Sequence, residues 1–294
     1  MADQATADRA MTDEAGTSSP HLDEQEQKQA RDNTALGPLV IHEIVRAQGQ
    51  QELGRSFGGL AWSSLAAGLS IGFSFVGQAY IQAGLPDAPW TRLVDSFGYT
   101  LGFLIVILGQ QELFTETTLT ALIPALTQRS IATLFRTLRV WGIVLGANLI
   151  GTFIYAFISS RHGIFSPEAY AAMGTLSAKT MAHPFLQTTI TAGAAGWLIG
   201  LMVWLLPGSG PARPLIIIIL TYVVAMCQFP HVIAGSVEAA FGVFSGQASV
   251  GDYLGRFLAP TLLGNTIGGA ALVALLNHAP LASELNPPGV KRSA

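Results

Sequence analysis

The sequence predicts an all-α membrane protein with six transmembrane helices in an inverted 3+3 repeat, helices two and five being broken. Three observations predict it. Half of the 294 residues are hydrophobic, 11% are charged and the mean hydropathy is +0.45, whereas a soluble domain carries about a quarter of its residues as charges. Apolar stretches near the roughly 20 residues a span needs recur at 60–83, 96–127, 133–158, 184–206, 214–247 and 254–277. Finally, Asn148-Leu149-Ile150-Gly151 in the third stretch resembles Asn265-Thr266-Ile267-Gly268 in the sixth.

The elements follow in order. Residues 1–35 carry Asp3, Asp8, Asp13, Glu14, Asp23, Glu24, Glu26 and Asp32 with almost no large apolar residue; such a segment cannot bury enough surface to offset its ordering entropy and reads as a disordered acidic cytoplasmic tail. It has neither the basic start nor the apolar run of a signal peptide. Residues 36–58, with Ile41, Ile44, Val45 and Leu53 among polar side chains, read as an interfacial amphipathic helix. Residues 59–278 form the six-span domain and 279–294 a cytoplasmic C-terminal tail. Span two meets Gln110, Gln111, Glu112, Leu113, Phe114, Thr115 and Glu116 at mid-length, and span five meets Gln228, Phe229, Pro230 and His231. Pro230 lacks an amide hydrogen and disfavours helix geometry at the residue before it. Irregular backbone at that depth is tolerated where it lines a cavity or is buried in protein, so each of these stretches reads as half-helix, loop, half-helix.

The interval from Thr115 to Asn148 is 33 residues and from His231 to Asn265 it is 34. A break followed at near-equal spacing by Asn-x-Ile-Gly, with three spans per half, predicts two halves of opposite sense, a plan known among transporters. Basic residues near the spans divide into Arg46, Arg55, Arg129, Arg136, Arg139, Arg213, Lys291 and Arg292 on one side and Arg92, Arg161, Lys179 and Arg256 on the other. That excess places both termini in the cytoplasm. The lone Cys227 excludes an internal disulfide framework and a cysteine-rich metal site.

His231 is the first candidate for chemistry, because an ionisable group at mid-membrane is expensive and marks function by default. A histidine satisfied by a carbonyl in a packing role is the alternative. Thr115 and Asn265 can pass hydrogen bonds to a carboxylate-like solute without adding charge; plain interhelical bonds are their alternative. Glu112, Glu116 and Glu238 could repel anions, relay protons, or sit solvated in vestibules or as helix caps. Lys179 and His183 precede span four on the outer side and could draw anions by local positive potential. Phe75, Phe103, Leu113 and Phe114 are candidates for apolar constrictions that dewet a pore, although such residues more often face lipid or core.

Gly109 to Thr117, with Leu113-Phe114-Thr115 inside it, resembles the span-two loop of the formate/nitrite transporter family. His231 followed by Ala234 resembles that family's central histidine motif, and Pro260 followed by Gly264-Asn265-x-x-Gly268-Gly269 its span-six signature. The similarity runs from about Arg55 to Asn277. It implies an aquaporin-like protomer, five of which surround an axis, each with its own pore, in a bacterial inner membrane. It implies formate, nitrite, hydrosulfide, lactate or acetate-like solutes. By position it makes His231 the pore histidine, Thr115 its partner across the pore and Asn265 the span-six asparagine. Leu113 and Phe114 become the inner constriction, Phe75 the outer slit, and Lys179, one residue off the motif, the vestibule lysine. The sequence departs from the family pattern at Gly200 and Gly235, where asparagines are usual, at Pro230, where an acid is common, and at the added Glu116.

The resulting expectation is a channel or transporter for a small monovalent anion or its conjugate weak acid. The half-helix N-termini and Lys179 would favour the anion, and apolar rings would keep the bare charge from crossing. His231, or water it organises, would supply a proton. It calls for no cofactor, metal or nucleic acid. A neutral-solute channel of the water and glycerol type is the first alternative, against which stands the absence of Asn-Pro-Ala. A scaffold that has lost transport is the second. An intramembrane protease would need a nucleophile–base pair; Ser245 lies near a span end without one, and no His-Glu-x-x-His occurs.

Overall fold

The computed structural model describes residues 35–273 and, by itself, Gln25. The two tails expected at 1–35 and 279–294, and the last residues of span six, therefore lie largely outside the described residues. Two compact units divide at Val40; the described part of the first is Gln25 and residues 35–40, and everything below concerns the second, from Ile41 onward.

Among the described residues the chain is helical throughout, without strands. Helix α1 is Pro38–Gly54, within the segment 36–58. Helices α2 (Phe57–Ser70) and α3 (Gly72–Ala83) follow one another across Ile71. Ser56 caps α2 by accepting from the Gly59 amide, which satisfies one of the free donors of a helix start. Then come α4 (Thr91–Leu108), α5 (Phe114–Thr120), α6 (Leu122–Gln128) and α7 (Ile131–Ser159). Helix α8 (Pro167–Thr180), capped by Ser166 with proline in its first turn, packs on α3 and α11 (Ala234–Phe244). Between them lie α9 (Phe185–Leu205) and α10 (Arg213–Met226). The last element is α12 (Val250–Asp252), a π-helical stretch Tyr253–Leu258, α13 (Ala259–Thr266) and a second π-helical stretch Ile267–Val273.

Phe57–Ala83, Thr91–Leu108, Ile131–Ser159 and Phe185–Gly208 are long and apolar enough to cross a membrane, while Gly210–Met226 and Ala234–Phe244 are shorter apolar helices. Their outward faces are greasy. On α4, Phe97, Leu101, Ile105 and Leu108 form one exposed stripe, and Ile150, Ile154, Phe157 and Ile158 another on α7. Apolar surface on this scale is covered by lipid or by protein.

The two halves are joined by the same internal contacts. In the first half α2 crosses α7 so closely that a Cβ on Gly68 would stand 2.2 Å from the Asn148 carbonyl oxygen. In the second half α9 crosses α13 so that a Cβ on Gly196 would stand 2.3 Å from the Asn265 carbonyl oxygen. Only glycine lets the backbones approach in this way, and the repeat seen in Asn-x-Ile-Gly is half of a crossing whose other half is a glycine on the partner helix.

Helices α4 and α10 end alike. Gln111 N–H donates to Val106 O and Gln110 N–H to Ile107 O; Phe229 N–H donates to Val224 O and Gln228 N–H to Ala225 O. Gln110 and Gln228 take φ of +50° and +54°, a conformation costing a non-glycine residue roughly 1–2 kcal/mol. The spacing argument pairs Thr115 with His231 as equivalents. These hydrogen bonds give a different register, in which Gln110 matches Gln228, Leu113 matches His231 and Thr115 matches Ile233.

Candidate functional site

Each loop after these helix ends is held by one buried asparagine. Asn148 Oδ1 accepts from Phe114 N–H at 2.9 Å, and its Nδ2 donates to Ser64 O at 2.7 Å and Glu112 O at 2.9 Å. Asn265 Oδ1 accepts from Val232 N–H at 2.7 Å, and its Nδ2 donates to Ala192 O at 2.8 Å and Pro230 O at 2.9 Å. Both side chains are fully buried. Unpaired backbone groups at such depth are costly, and the asparagines supply the partners that the interrupted helices lack. The sequence expectation placed Asn265 in the pore wall beside His231. All three of its side-chain bonds go to backbone, leaving it a brace for the loop that carries His231.

His231 is 1% exposed and Thr115 is fully buried; Thr115 Oγ1 and His231 Nε2 are 2.8 Å apart. On the other side of the ring Nδ1 accepts from Ala234 N–H at 3.1 Å. A backbone amide can only donate, so the ring's hydrogen sits on Nε2 and is given to Thr115, whose own hydroxyl hydrogen remains to be offered. Phe103 stands edge-on to the imidazole, with centroids 5.0 Å apart. Two of the expected partners are therefore brought together, on different halves of the chain.

Two polar cavities lie near this pair in the chain, one lined by His231 and the other by Glu116, the residue after Thr115. One, of about 310 Å³, is lined by His231, Gln228, Arg92, Lys179, His183 and Glu238; we call it the lysine cavity. Lys179 and His183 are exposed at it, and Arg92 donates to Gln228 Oε1 at 3.0 Å. The other, of about 620 Å³, is lined by Glu52, Arg55, Gln110, Glu112, Glu116 and Arg213; we call it the glutamate cavity. Arg55 pairs with Glu112 there, and Thr120 Oγ1 donates to Glu52 at 2.6 Å. Burial, reinforced by the nearby Glu112 and Glu116, pushes the Glu52 carboxyl on α1 up to about 8.

Leu113 and Phe114 separate Glu112 of the glutamate cavity from Thr115, which bonds His231 of the lysine cavity, and Leu113, Phe114 and Thr115 are each at most 2% exposed. Phe75 is equally buried and meets Phe241 edge-on at 5.4 Å, while Phe114 lies against Trp141. The apolar residues expected as constrictions are thus buried core residues. The departures from the expected pattern also have places: Gly200 is buried in α9, and a Cβ on Gly235 would meet the Phe257 ring at 2.7 Å, so that ring fills the room a longer side chain would need.

Three features of the cavity linings escaped the sequence reading. Gln110 and Gln228 occupy matching strained positions and each lines one cavity; the signal was a glutamine three residues before Leu113 and before His231. Glu52 joins the glutamate cavity from α1, which no local pattern indicates. Arg92 reaches the lysine cavity from the first turn of α4.

Comparison with known proteins gives a consistent result. The sequence profile of the family described as Formate/nitrite transporter matches residues 39–279. Inner membrane protein YfdC of Escherichia coli (strain K12) is 36% identical over 248 residues, 84% of this chain and 80% of that protein. Formate channel BtFdhC of Bacillus thuringiensis is 28% identical over 244 residues, 80% of this chain and 92% of that protein. Among solved structures, a pentameric formate channel with formate bound aligns with a TM-score of 0.66 at 22% identity, covering 77% of this chain and 98% of that one. An FNT family ion channel aligns at 0.72 and 19% identity, covering 82% and 98%. At these identities the structural matches speak for the fold.

Proposed function

Because the chain belongs to the formate/nitrite transporter family, we propose that it is a membrane channel or transporter for a small monovalent anion or its conjugate weak acid. Formate, nitrite, hydrosulfide and acetate are the solute class. The proposal includes a six-span protomer in which α4–α6 and α10–α11 are the broken spans, between the 1–35 and 279–294 tails. It includes a homopentamer with one pore per subunit, in a bacterial inner membrane with both termini cytoplasmic. The names of the relatives support the setting and the solute: one is an inner membrane protein and one a formate channel.

The observation that carries the reading is the buried Thr115–His231 pair, with His231 lining the lysine cavity and Glu116, next to Thr115 in the chain, lining the glutamate cavity. Lys179 and Arg92 raise the local anion concentration in the lysine cavity. Phe75, Phe103, Leu113 and Phe114 make the wall too apolar for a bare charge, whose desolvation is prohibitive. A neutral acid faces a smaller barrier, since Thr115 and His231 replace its lost water hydrogen bonds. The sequence reading makes His231 the proton donor. The bond from Ala234 N–H into Nδ1 supports a narrower role: an imidazolium would need a hydrogen on Nδ1, pointing at that N–H, so the ring gives a hydrogen bond from Nε2 and no net proton. Asn265 and Asn148 hold the two loops in register.

The test is uptake of formate, nitrite, acetate and hydrosulfide into proteoliposomes at several external pH values. Wild type is expected to pass at least one of them faster as pH falls. His231→Ala is expected to lower that flux by about tenfold or more, equivalent to roughly 1.4 kcal/mol of lost stabilisation at the barrier. No flux of any of the four from a folded pentamer, or unchanged flux in His231→Ala, overturns the reading.

A further inference from the structure

A weak-acid pore whose central ring gives no net proton needs another group to neutralise the arriving anion. We propose that Glu238 is that group, a carboxylic acid in the lysine cavity that protonates the solute before it reaches His231. The inference rests on the weak-acid reading above.

Placement supports it first. Glu238 lies one turn beyond Gly235 on α11, and both line the cavity that His231, Lys179 and Arg92 line. An anion drawn by the exposed Lys179 therefore enters the space onto which the carboxyl opens. Gly235 offers no side chain and Phe257 packs against it. Ser236 is turned away, donating to Val232 O at 2.6 Å and meeting the Tyr253 hydroxyl at 3.0 Å. Glu238 is thus the polar side chain that the start of α11 presents to the cavity.

Its partners support it second. The Glu238 carboxyl is hydrogen-bonded to the Thr180 hydroxyl, and Thr180 Oγ1 also lies 3.1 Å from Leu176 O in hydrogen-bonding geometry. A threonine has one hydroxyl hydrogen. When it goes to Leu176 O, the hydrogen shared with Glu238 comes from the carboxyl, which is the protonated acid. The polar groups that share the cavity with Glu238 are Lys179 and Thr180 on α8, Arg92 and Tyr99 on α4, Gln78 on α3, Gln228, and His183 and His231, and Asp95 stands behind Gln78. Gln78 Nε2 donates to Asp95 at 3.2 Å and Arg92 to Gln228. The ion pairs among the described residues are His42–Glu43, Arg46–Glu43, Arg55–Glu112 and Arg256–Asp252, so no cation in direct contact locks Glu238 in its charged form.

The step balances without a further reactant. The Glu238 O–H bond breaks as the anion's O–H or S–H bond forms; the neutral acid moves on to Thr115 and His231. The carboxylate left behind is stabilised by nearby Lys179 until hydronium in the cavity restores its proton. Net, one anion and one proton enter as one neutral molecule, and exit runs the same sequence backwards.

The test compares formate uptake by wild type, Glu238→Gln and Glu238→Asp in proteoliposomes across external pH, with infrared spectra of the same samples. Glu238→Gln keeps the size and the bond to Thr180 but carries no transferable proton. Its uptake is expected to be lower by about tenfold near pH 7 and to converge on wild type as the pH approaches the acid's own pKa, where the solute arrives neutral. Glu238→Asp is expected to restore most of the flux. The carbonyl band of a protonated carboxylic acid is expected in wild type at pH 6 and absent in Glu238→Gln. A loss equal at every pH, no loss at all, or no such band in wild type overturns the proposal while leaving the channel standing. Absence of formate flux in wild type removes the parent reading and this inference together.

Discussion

The loops after α4 and after α10 are built on one backbone plan and furnished with different chemistry. Each follows a helix closed by the same two hydrogen bonds, turns through a glutamine in the left-handed region and is tied down by two bonds from a single asparagine. One opens on Glu52, Glu112 and Glu116, the other on Lys179 and Arg92 with Glu238. Where the first loop has Leu113 the second has His231. The plan is a solution to a backbone problem, the unpaired N–H and C=O groups of an interrupted helix, and is fixed by sterics and hydrogen bonding. What each loop then faces is free to differ: carboxyls paired with Arg55 and Arg213 at one mouth of the proposed pore, Lys179 and Arg92 with Glu238 at the other.

The largest effect is expected from removing the braces. Asn148→Ala strands Phe114 N–H and Asn265→Ala strands Val232 N–H, each an unpaired buried donor worth about 1–3 kcal/mol, with two carbonyls also left short. Both variants should melt well below wild type in detergent, by similar amounts, and lose pentamer on size exclusion. If Asn265→Ala melts like wild type but loses transport, Asn265 belongs to the pore wall and the two loops are not equivalent.

A smaller but parallel effect is expected at the crossings. Gly68→Ala and Gly196→Ala put a methyl carbon 2.2 and 2.3 Å from a carbonyl oxygen, so the helices must part, a kind of overpacking that costs roughly 1–3 kcal/mol. Matching losses of melting temperature would confirm that both halves are clamped alike. A loss in one half only would show that the other can spread.

What the sequence made legible follows from the range of the forces involved. Apolar length and the Asn-x-Ile-Gly pair announced the helices and the repeat, because lipid-facing composition and small-residue crossings are written locally. His231 was singled out beside Pro230 and Thr115 through its motif, and the structure brings the two into hydrogen-bonding contact. The register of the repeat was misread because Phe114 precedes Asn148 by 34 residues and Val232 precedes Asn265 by 33, so counting from the most polar residue of each loop aligned Thr115 with His231. The glutamine turns were missed because positive φ is normally announced by glycine or asparagine. Asn265 was assigned to the pore because an amide in a membrane helix can serve a solute or a backbone equally well, and only the tertiary structure says which. Glu52 was invisible for the same reason: its neighbours come from the loop after α4 and from α5, far along the chain.

The smallest expected effect separates the mouths by pH. Glu52 is partly buried against Glu112 and Glu116, and its folded-state value lies above the ordinary 4.5 at about 8. An acid raised on folding favours the native state most when protonated, so this contribution is fully present below pH 4.5 and is lost as pH rises through 8. Docking of α1 should therefore weaken over that interval, read as faster amide exchange in residues 41–54 relative to α9. Glu52→Gln should flatten that dependence, because an amide keeps the bond to Thr120 and carries no charge to bury. If exchange in α1 is equally pH-dependent in wild type and in Glu52→Gln, the sensitivity lies in the Arg55–Glu112 pair, and Glu112→Gln rather than Glu52→Gln should remove it. Either result places a titrating group at the glutamate cavity, opposite the carboxyl proposed to load the solute at the lysine cavity.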